Sequence, residues 1–186
     1  MQKLIDIAKR AGQMMLEAHC ENEDIENKAG EANFVTKYDK MIQQFLKTEL
    51  TKLYPNAAFM GEESGEDEYK SADTLIIVDP IDGTTNFIKN MRHSAVVIGI
   101  LKDEKPYKSV VYNPYDDEVF YAKSGQGAYL NGKQIRVSDK HLCDGVVGFG
   151  SVPYYKELYD KTFDLIKSLM PECADVRRLG SAALDL

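Results

Sequence analysis

The sequence has no tryptophan, three cysteines and three histidines in 186 residues. Cys20, Cys143 and Cys173 are odd in number and contain no C-x-x-C spacing. That excludes a closed disulfide framework and points to free thiols in a reducing, cytoplasmic setting. His19 and His141 have no acidic or cysteine neighbour at metal-ligand spacing, and a lone His93 at a strand edge reads as structural. No apolar run is long enough to span a bilayer, and the N-terminus has no signal-peptide core. Positive charge is in deficit as well: 23 Lys and Arg face 30 Asp and Glu, for a net charge of −7. A basic face for nucleic acid or an anionic membrane is therefore not expected. Repeats and low-complexity segments are missing too.

What remains is an ordinary globular composition, 44% hydrophobic and 28% charged, sufficient for one sizeable core. The chain is organised around residues 75–87, LIIVDPIDGTTNF. Leu75, Ile76, Ile77 and Val78 form a short apolar run that reads as a buried strand. Pro80 lacks an amide hydrogen, so the strand is expected to end at Asp79-Pro80. Asp79 and Asp82 then stand three apart on a turn closed by Gly83. Two carboxylates suit a hard cation such as magnesium. The N–H groups of Gly83, Thr84 and Thr85 suit a phosphate. The same residues are also ordinary turn formers, so spacing alone leaves both readings open.

Around this stretch the pattern predicts an α+β layer. Leu4, Ala8, Ala11, Met15 and Ala18 give residues 1–19 a helical apolar stripe. A second helix over 36–54 carries Ile42, Phe45, Leu46, Leu50 and Leu53, and Thr36-x-x-Asp39 has the form of a capping box. Short strands are expected over 57–60, 94–101, 107–112 and 119–122. Asn131-Gly132 marks a two-residue hairpin. Consecutive strands with short turns mean a mainly antiparallel sheet, covered on one face by the two helices. Residues 20–30 read as a loop or weak strand, and the acidic stretch 65–73 as a mobile loop. From about Ser138 strand and helix alternate: a strand at 146–149, a helix over 155–169, a strand near 176–178, and Ser181 as the N-cap of a new helix. The chain thus divides into an α+β metal-binding domain, 1–138, and the start of an α/β subdomain, 139–186.

Asp79-Pro80-Ile81-Asp82-Gly83-Thr84-Thr85-Asn86-Phe87 resembles the signature of the inositol monophosphatase family, magnesium-dependent phosphomonoesterases. Gly61-Glu62-Glu63-Ser64, Phe34-Val35-Thr36-Lys37-Tyr38-Asp39 and Gly180-Ser181-Ala182-Ala183 are similar to three further motifs of that family, in the right order. The resemblance covers essentially the whole chain and implies a layered sugar-phosphatase-type fold. It implies Mg2+ as cofactor, two or three ions, with Glu62, Asp79, the Ile81 carbonyl and Asp82 as ligands. Glu63 and a Thr84–Asp39 pair are implied at the attacking water. Asp82, Gly83, Thr84, Gly180, Ser181 and Ala182 are implied beside the substrate, and Lys28 is implied to reach the metal site. The expected activity is hydrolysis of a small phosphate monoester, such as inositol monophosphate or another sugar or polyol phosphate.

Members of that family continue past the point where this sequence stops, with a Trp-Asp motif that completes the second metal site. This sequence resembles a member truncated at its C-terminus. The expectation is therefore a nearly whole first metal site, an incomplete second one and an exposed apolar edge. The apolar edge predicts oligomerisation, as a homodimer, or modest stability. Two other readings stand beside the first. One is a catalytically impaired metal-binding or interaction protein. The other is a relative acting on nucleotide 3′-phosphates or fructose 1,6-bisphosphate. No nucleic-acid or membrane partner is expected.

Overall fold

The computed structural model describes residues 1–19, 25–27, 34–63, 72–151 and 155–186. Lys28 and the stretch 64–71 lie outside the described residues, and with them the expectations made for that lysine and most of that acidic loop. Helix α1, Gln2–Leu16, buries Leu4, Ile7, Ala8, Ala11 and Met15 along one stripe. Strands β1, Ile25–Asn27, and β2, Phe34–Thr36, pair antiparallel. Helix α2, Lys37–Leu53, follows directly and buries Ile42, Leu46 and Leu50.

Seven strands form the main sheet: β3, Ala58–Gly61; β4, Thr74–Asp82; β5, Ala95–Lys102; β6, Lys105–Asn113; β7, Glu118–Lys123; β8, Ala128–Leu130; and β9, Lys133–Ile135. Their order in space is their order in sequence. Only β3 and β4 run parallel; every later pair is antiparallel. Both helices pack on one face, α1 over β5 and β6 and α2 over β4. Ile76, Val78, Ile98, Ile100, Val96 and Val110 supply the sheet side of the core. The β8–β9 hairpin turns at Asn131 and Gly132, both with positive φ (48° and 82°), the backbone a tight primed turn requires.

One expectation needs correction. β4 does not stop at Asp79-Pro80 but runs on to Asp82. Pro80 interrupts rather than ends it. The register with β5 passes Asp79↔Val97, slips, and resumes at Asp82↔Ala95. Proline cannot donate to the ladder, so the two residues after Asp79 bulge out of it. That bulge is what sets Asp79 and Asp82 at the end of a strand paired on both sides rather than on a free loop.

Beyond the sheet lie β10, Val146–Gly148, and β11, Asp175–Arg177, which pair parallel. Helix α4, Tyr159–Leu169, packs beside them through Ile166. It begins later than the sequence pattern suggests, because Lys156–Leu158 form a 3-10 turn. Phe163, Leu165, Met170 and Val146 of this part are 58–60% exposed. The last element is a single turn, α5, Ala182–Asp185.

Candidate metal and phosphate site

The acidic site grows out of four local solutions. The first is the start of α2. Thr36 caps it by accepting from the amides of Tyr38 and Asp39, at 3.1 and 3.4 Å. Asp39 Oδ2 in turn accepts from the Thr36 amide at 2.8 Å and from its hydroxyl at 2.6 Å. That is a complete capping box, and it leaves the other oxygen of a fully buried carboxylate free to turn inward. Oδ1 of Asp39 meets the Thr84 hydroxyl at 3.4 Å. One side chain therefore serves both the helix end and the site. Burial holds the Asp39 carboxyl above its usual range despite the Thr36 hydrogen bonds, with Glu62 adding to the rise.

The second is the end of β3. A Cβ on Gly61 would stand 2.2 Å from Gln43 Oε1, so a side chain here would push the Gln43 amide out of its place. Gln43 Oε1 accepts the Glu63 amide at 2.9 Å, while the Glu62 amide bonds the Val78 carbonyl at 3.1 Å. The Glu62-Glu63 pair is thus pinned between α2 and β4. Sequence reasoning missed Gln43. Its signal was position: it lies one helical turn after Asp39, on the same face.

The third is the β4 bulge. Asp79 Oδ1 accepts the Ile81 amide at 3.0 Å, an Asx-type turn that locks the side chain. The carboxyl of Asp79 also hydrogen-bonds that of Glu62. Burial first, then the charges of Glu62 and Asp82, push it up to about 9. Two carboxyl groups in hydrogen-bond contact need something positive between them, a proton or a cation.

The fourth is the turn into α3, Thr84–Ile88. Gly83 has φ 89°, and a Cβ there would meet the carbonyl oxygens of Gly180 and His93 at 3.1 Å each. The Gly83 carbonyl accepts from Ser94 Oγ at 3.1 Å. The Thr84 hydroxyl also donates to the Ile81 carbonyl at 3.1 Å.

The C-terminal segment is fastened to this turn. Buried Asn86 donates its side-chain amide to the carbonyls of His93, 2.8 Å, and Leu179, 2.7 Å. Asp82 Oδ2 accepts from the Ser181 hydroxyl and from the Ala183 amide, the latter at 2.9 Å. Ser181 does sit at the N-cap of α5, but its hydroxyl does not cap that helix; Asp82 takes it. His93 Nε2 and Asp185 Oδ1 face each other at 3.7 Å, both buried and neither hydrogen-bonded.

The structure thus brings together Asp39, Glu62, Asp79, Ile81, Asp82, Gly83 and Thr84, with Ser181 and Ala183 on Asp82 and the Gly180 carbonyl beside Gly83; Glu63 is placed through its amide on Gln43, and Ala182 follows Ser181 in α5. Among the described residues no three His, Cys, Asp or Glu side chains are set to hold a metal ion as they stand. Oδ2 of Asp82 is directed instead at Ser181 and Ala183. The Glu62–Asp79 pair nevertheless fits a hard divalent cation by its chemistry, since the ion replaces a proton held between two oxygens. A mixed seven-stranded sheet under two helices, with this acid cluster at the break in its second strand, β4, defines the layered α+β sugar-phosphatase class of fold.

Comparison with known proteins makes that class specific. The chain matches the model of the inositol monophosphatase family over residues 1–186, and it belongs to that family. It is 38% identical over 181 residues to the Nus factor SuhB of Escherichia coli K12, covering 96% of this chain and 68% of that protein. It is 36% identical over 158 residues to the inositol-1-monophosphatase of Rhizobium meliloti, covering 84% of this chain and 59% of that one. Among solved structures, extragenic suppressor protein SuhB of Bartonella henselae matches with a TM-score of 0.89 at 32% identity, covering 100% of this chain and 72% of its own. An IMPase of Thermotoga maritima matches with a TM-score of 0.87 at 30% identity, with 100% and 71% covered. Membership supports a phosphatase role and, with it, a small phosphorylated substrate. No helix among the described residues is long and apolar enough to cross a membrane.

Proposed function

We propose that the chain hydrolyses a small phosphate monoester, an inositol monophosphate or a related sugar or polyol phosphate, in a magnesium-dependent reaction. One observation carries this: the buried carboxyl of Asp79 is held against Glu62, with the Asp82 charge beside it. Magnesium is the ion that family membership favours. Glu62, Asp79 and the Ile81 carbonyl would hold one ion, and Asp79 with Asp82 a second. A divalent ion there supplies Lewis acidity and lowers the pKa of a coordinated water.

The chain's own residues do the rest. The Thr84 hydroxyl, within reach of Asp39 Oδ1 and the Ile81 carbonyl, orients the attacking water. Glu63, anchored by Gln43, assists from the other side as a proton acceptor. The amides of Gly83 and Thr84 face phosphate oxygens at the head of a turn and stabilise charge that grows on them. Gly180, Ser181 and Ala182 form the wall behind Asp82, and Lys28 completes the proposed set. The test is phosphate release from inositol 1-phosphate. Magnesium-dependent release that disappears in Asp79→Asn supports the reading; no release with bound metal rejects it.

The commitment of Asp82 to the C-terminal segment favours a second reading, a chain that binds metal without turnover. Divalent-ion calorimetry beside the phosphate assay separates the two. The exposed apolar side chains of Phe163, Leu165 and Met170 support a homodimer. Light scattering of the purified chain tests that assembly, and a monomer across micromolar concentrations rejects it.

A further inference from the structure

A second charged feature lies at the far end of the sheet. Seven residue steps of β5 separate Ala95, opposite Asp82, from Lys102, which at roughly 3.3 Å per step is about 23 Å. There three lysines converge on one ring. Lys102, Lys108 and Lys123 place their ammonium nitrogens 4.6, 4.9 and 6.0 Å from the centroid of Tyr107. They come from three adjacent strands, β5, β6 and β7. Strand register makes this gathering unfavourable. Lys108 stands directly opposite Lys123, and Lys102 directly opposite Lys105, and like charges in facing positions destabilise a sheet. The chain has more acids than bases. Even so, among the described residues none of these four lysines forms an ion pair with a carboxylate.

The backbone supports the gathering. The register slips at this end of β5 and β6: Ile100 faces Lys108, Leu101 faces Pro106, and Tyr107 is the extra residue. The Tyr107 carbonyl is fixed by the Ser124 amide at 2.9 Å. Beside the ring lies a concavity of about 360 Å³, bounded by Pro106, Ser109, Ala122 and the glycine turn at Gly125 and Gly127. That volume is in the range of small-molecule sites.

We propose that Lys102, Lys108, Lys123 and Tyr107 form a binding site for a compact polyphosphate, a di- or triphosphate group free or carried on a nucleoside. Three cations around one point match several phosphate charges on one short chain. A monophosphate would leave charge uncompensated. A nucleic-acid strand would need a basic track continuing along its backbone, and here the residues that follow Lys102 are Asp103 and Glu104.

Calorimetry with tripolyphosphate tests the site, on the full chain in EDTA and low salt, so that no divalent ion ties phosphate to the acidic site. Binding of one equivalent is expected, weakening as salt screens it. A K102Q/K108Q/K123Q variant should bind at least tenfold more weakly while melting no lower than the parent. Tyr107→Phe should bind as the parent does. A parallel titration with a nucleoside triphosphate identifies the source: tighter binding than tripolyphosphate assigns the concavity to the nucleoside, equal binding assigns the site to the phosphate chain alone. Equal affinity of the triple variant, no heat with either ligand, or orthophosphate binding as tightly as tripolyphosphate would each overturn the proposal. Tighter binding of an oligonucleotide through the same lysines would replace it with a nucleic-acid surface.

Discussion

Stability without divalent ions should fall as pH rises, and Asp79 should be the cause. Its carboxyl is pushed up to about 9 in the folded chain by burial, Glu62 and Asp82. In the unfolded chain it titrates near 4. A group whose folded value is raised contributes stability that is complete below the unfolded value and is lost as pH climbs towards the folded one. The window is therefore about pH 4 to 9. Each pH unit inside it costs at most about 1.4 kcal/mol for one proton. Between pH 5 and 8 the loss should be about 1–4 kcal/mol, or roughly 3–12 °C in Tm for a chain of this length. Saturating magnesium at pH 8 should restore most of it, because the ion takes the place of the proton. Asp79→Asn should flatten the slope and remove the magnesium response together. The measurement is a thermal melt in EDTA at several pH values, with and without magnesium, for both chains. An Asp79→Asn variant with the parent's pH slope, or a parent indifferent to magnesium, magnesium being silent at pH 8, would refute the assignment.

Other outcomes follow from single contacts. Gly83→Ala should lower stability by about 1–3 kcal/mol in urea unfolding, since it puts a methyl group at φ 89° against two carbonyl oxygens. Thr84→Val should lower the phosphatase kcat about 100-fold with KM little changed, because it removes the hydroxyl proposed to orient water while keeping the shape. Asp185→Asn should raise the melting temperature, with a gain of about 1 kcal/mol. It replaces the buried, unbonded carboxylate oxygen facing His93 with a neutral amide whose N–H can donate to the ring nitrogen. Ser181→Ala should strengthen divalent-ion binding in calorimetry, as Asp82 loses the partner that turns it away.

Much of this architecture was legible because the relevant forces are local. The stripe of Leu4, Ala8, Ala11 and Met15 needs only helical periodicity. The Thr36–Asp39 cap is closed within one turn, and Asn131-Gly132 dictates its own hairpin. The sequence also brought Glu62, Asp79 and Asp82 into view through motif resemblance. What escaped was non-local. Nothing near Pro80 says that β4 resumes after it, since that depends on Ala95 being opposite Asp82. Serine before a short apolar run reads as a cap, yet a carboxylate 99 positions away takes the Ser181 hydroxyl. His93 looked structural at a strand edge, and its meeting with Asp185 could come only from packing the chain's last turn on the Gly83 turn. Gln43 carries no mark of its own in the sequence; its bond to the Glu63 amide depends on β3 ending against α2.

The fastening of residues 179–185 to the Gly83 turn carries a thermodynamic obligation. Asp82 has one carboxylate and two claimants, the N-terminus of α5 and any cation that Asp79 recruits. Coupling between two such events is reciprocal. A divalent ion that takes Oδ2 of Asp82 loosens the tail, and anything that grips the tail through that oxygen taxes the ion. In this molecule the strength with which the closing helical turn is held is a dial on metal affinity, readable at either end.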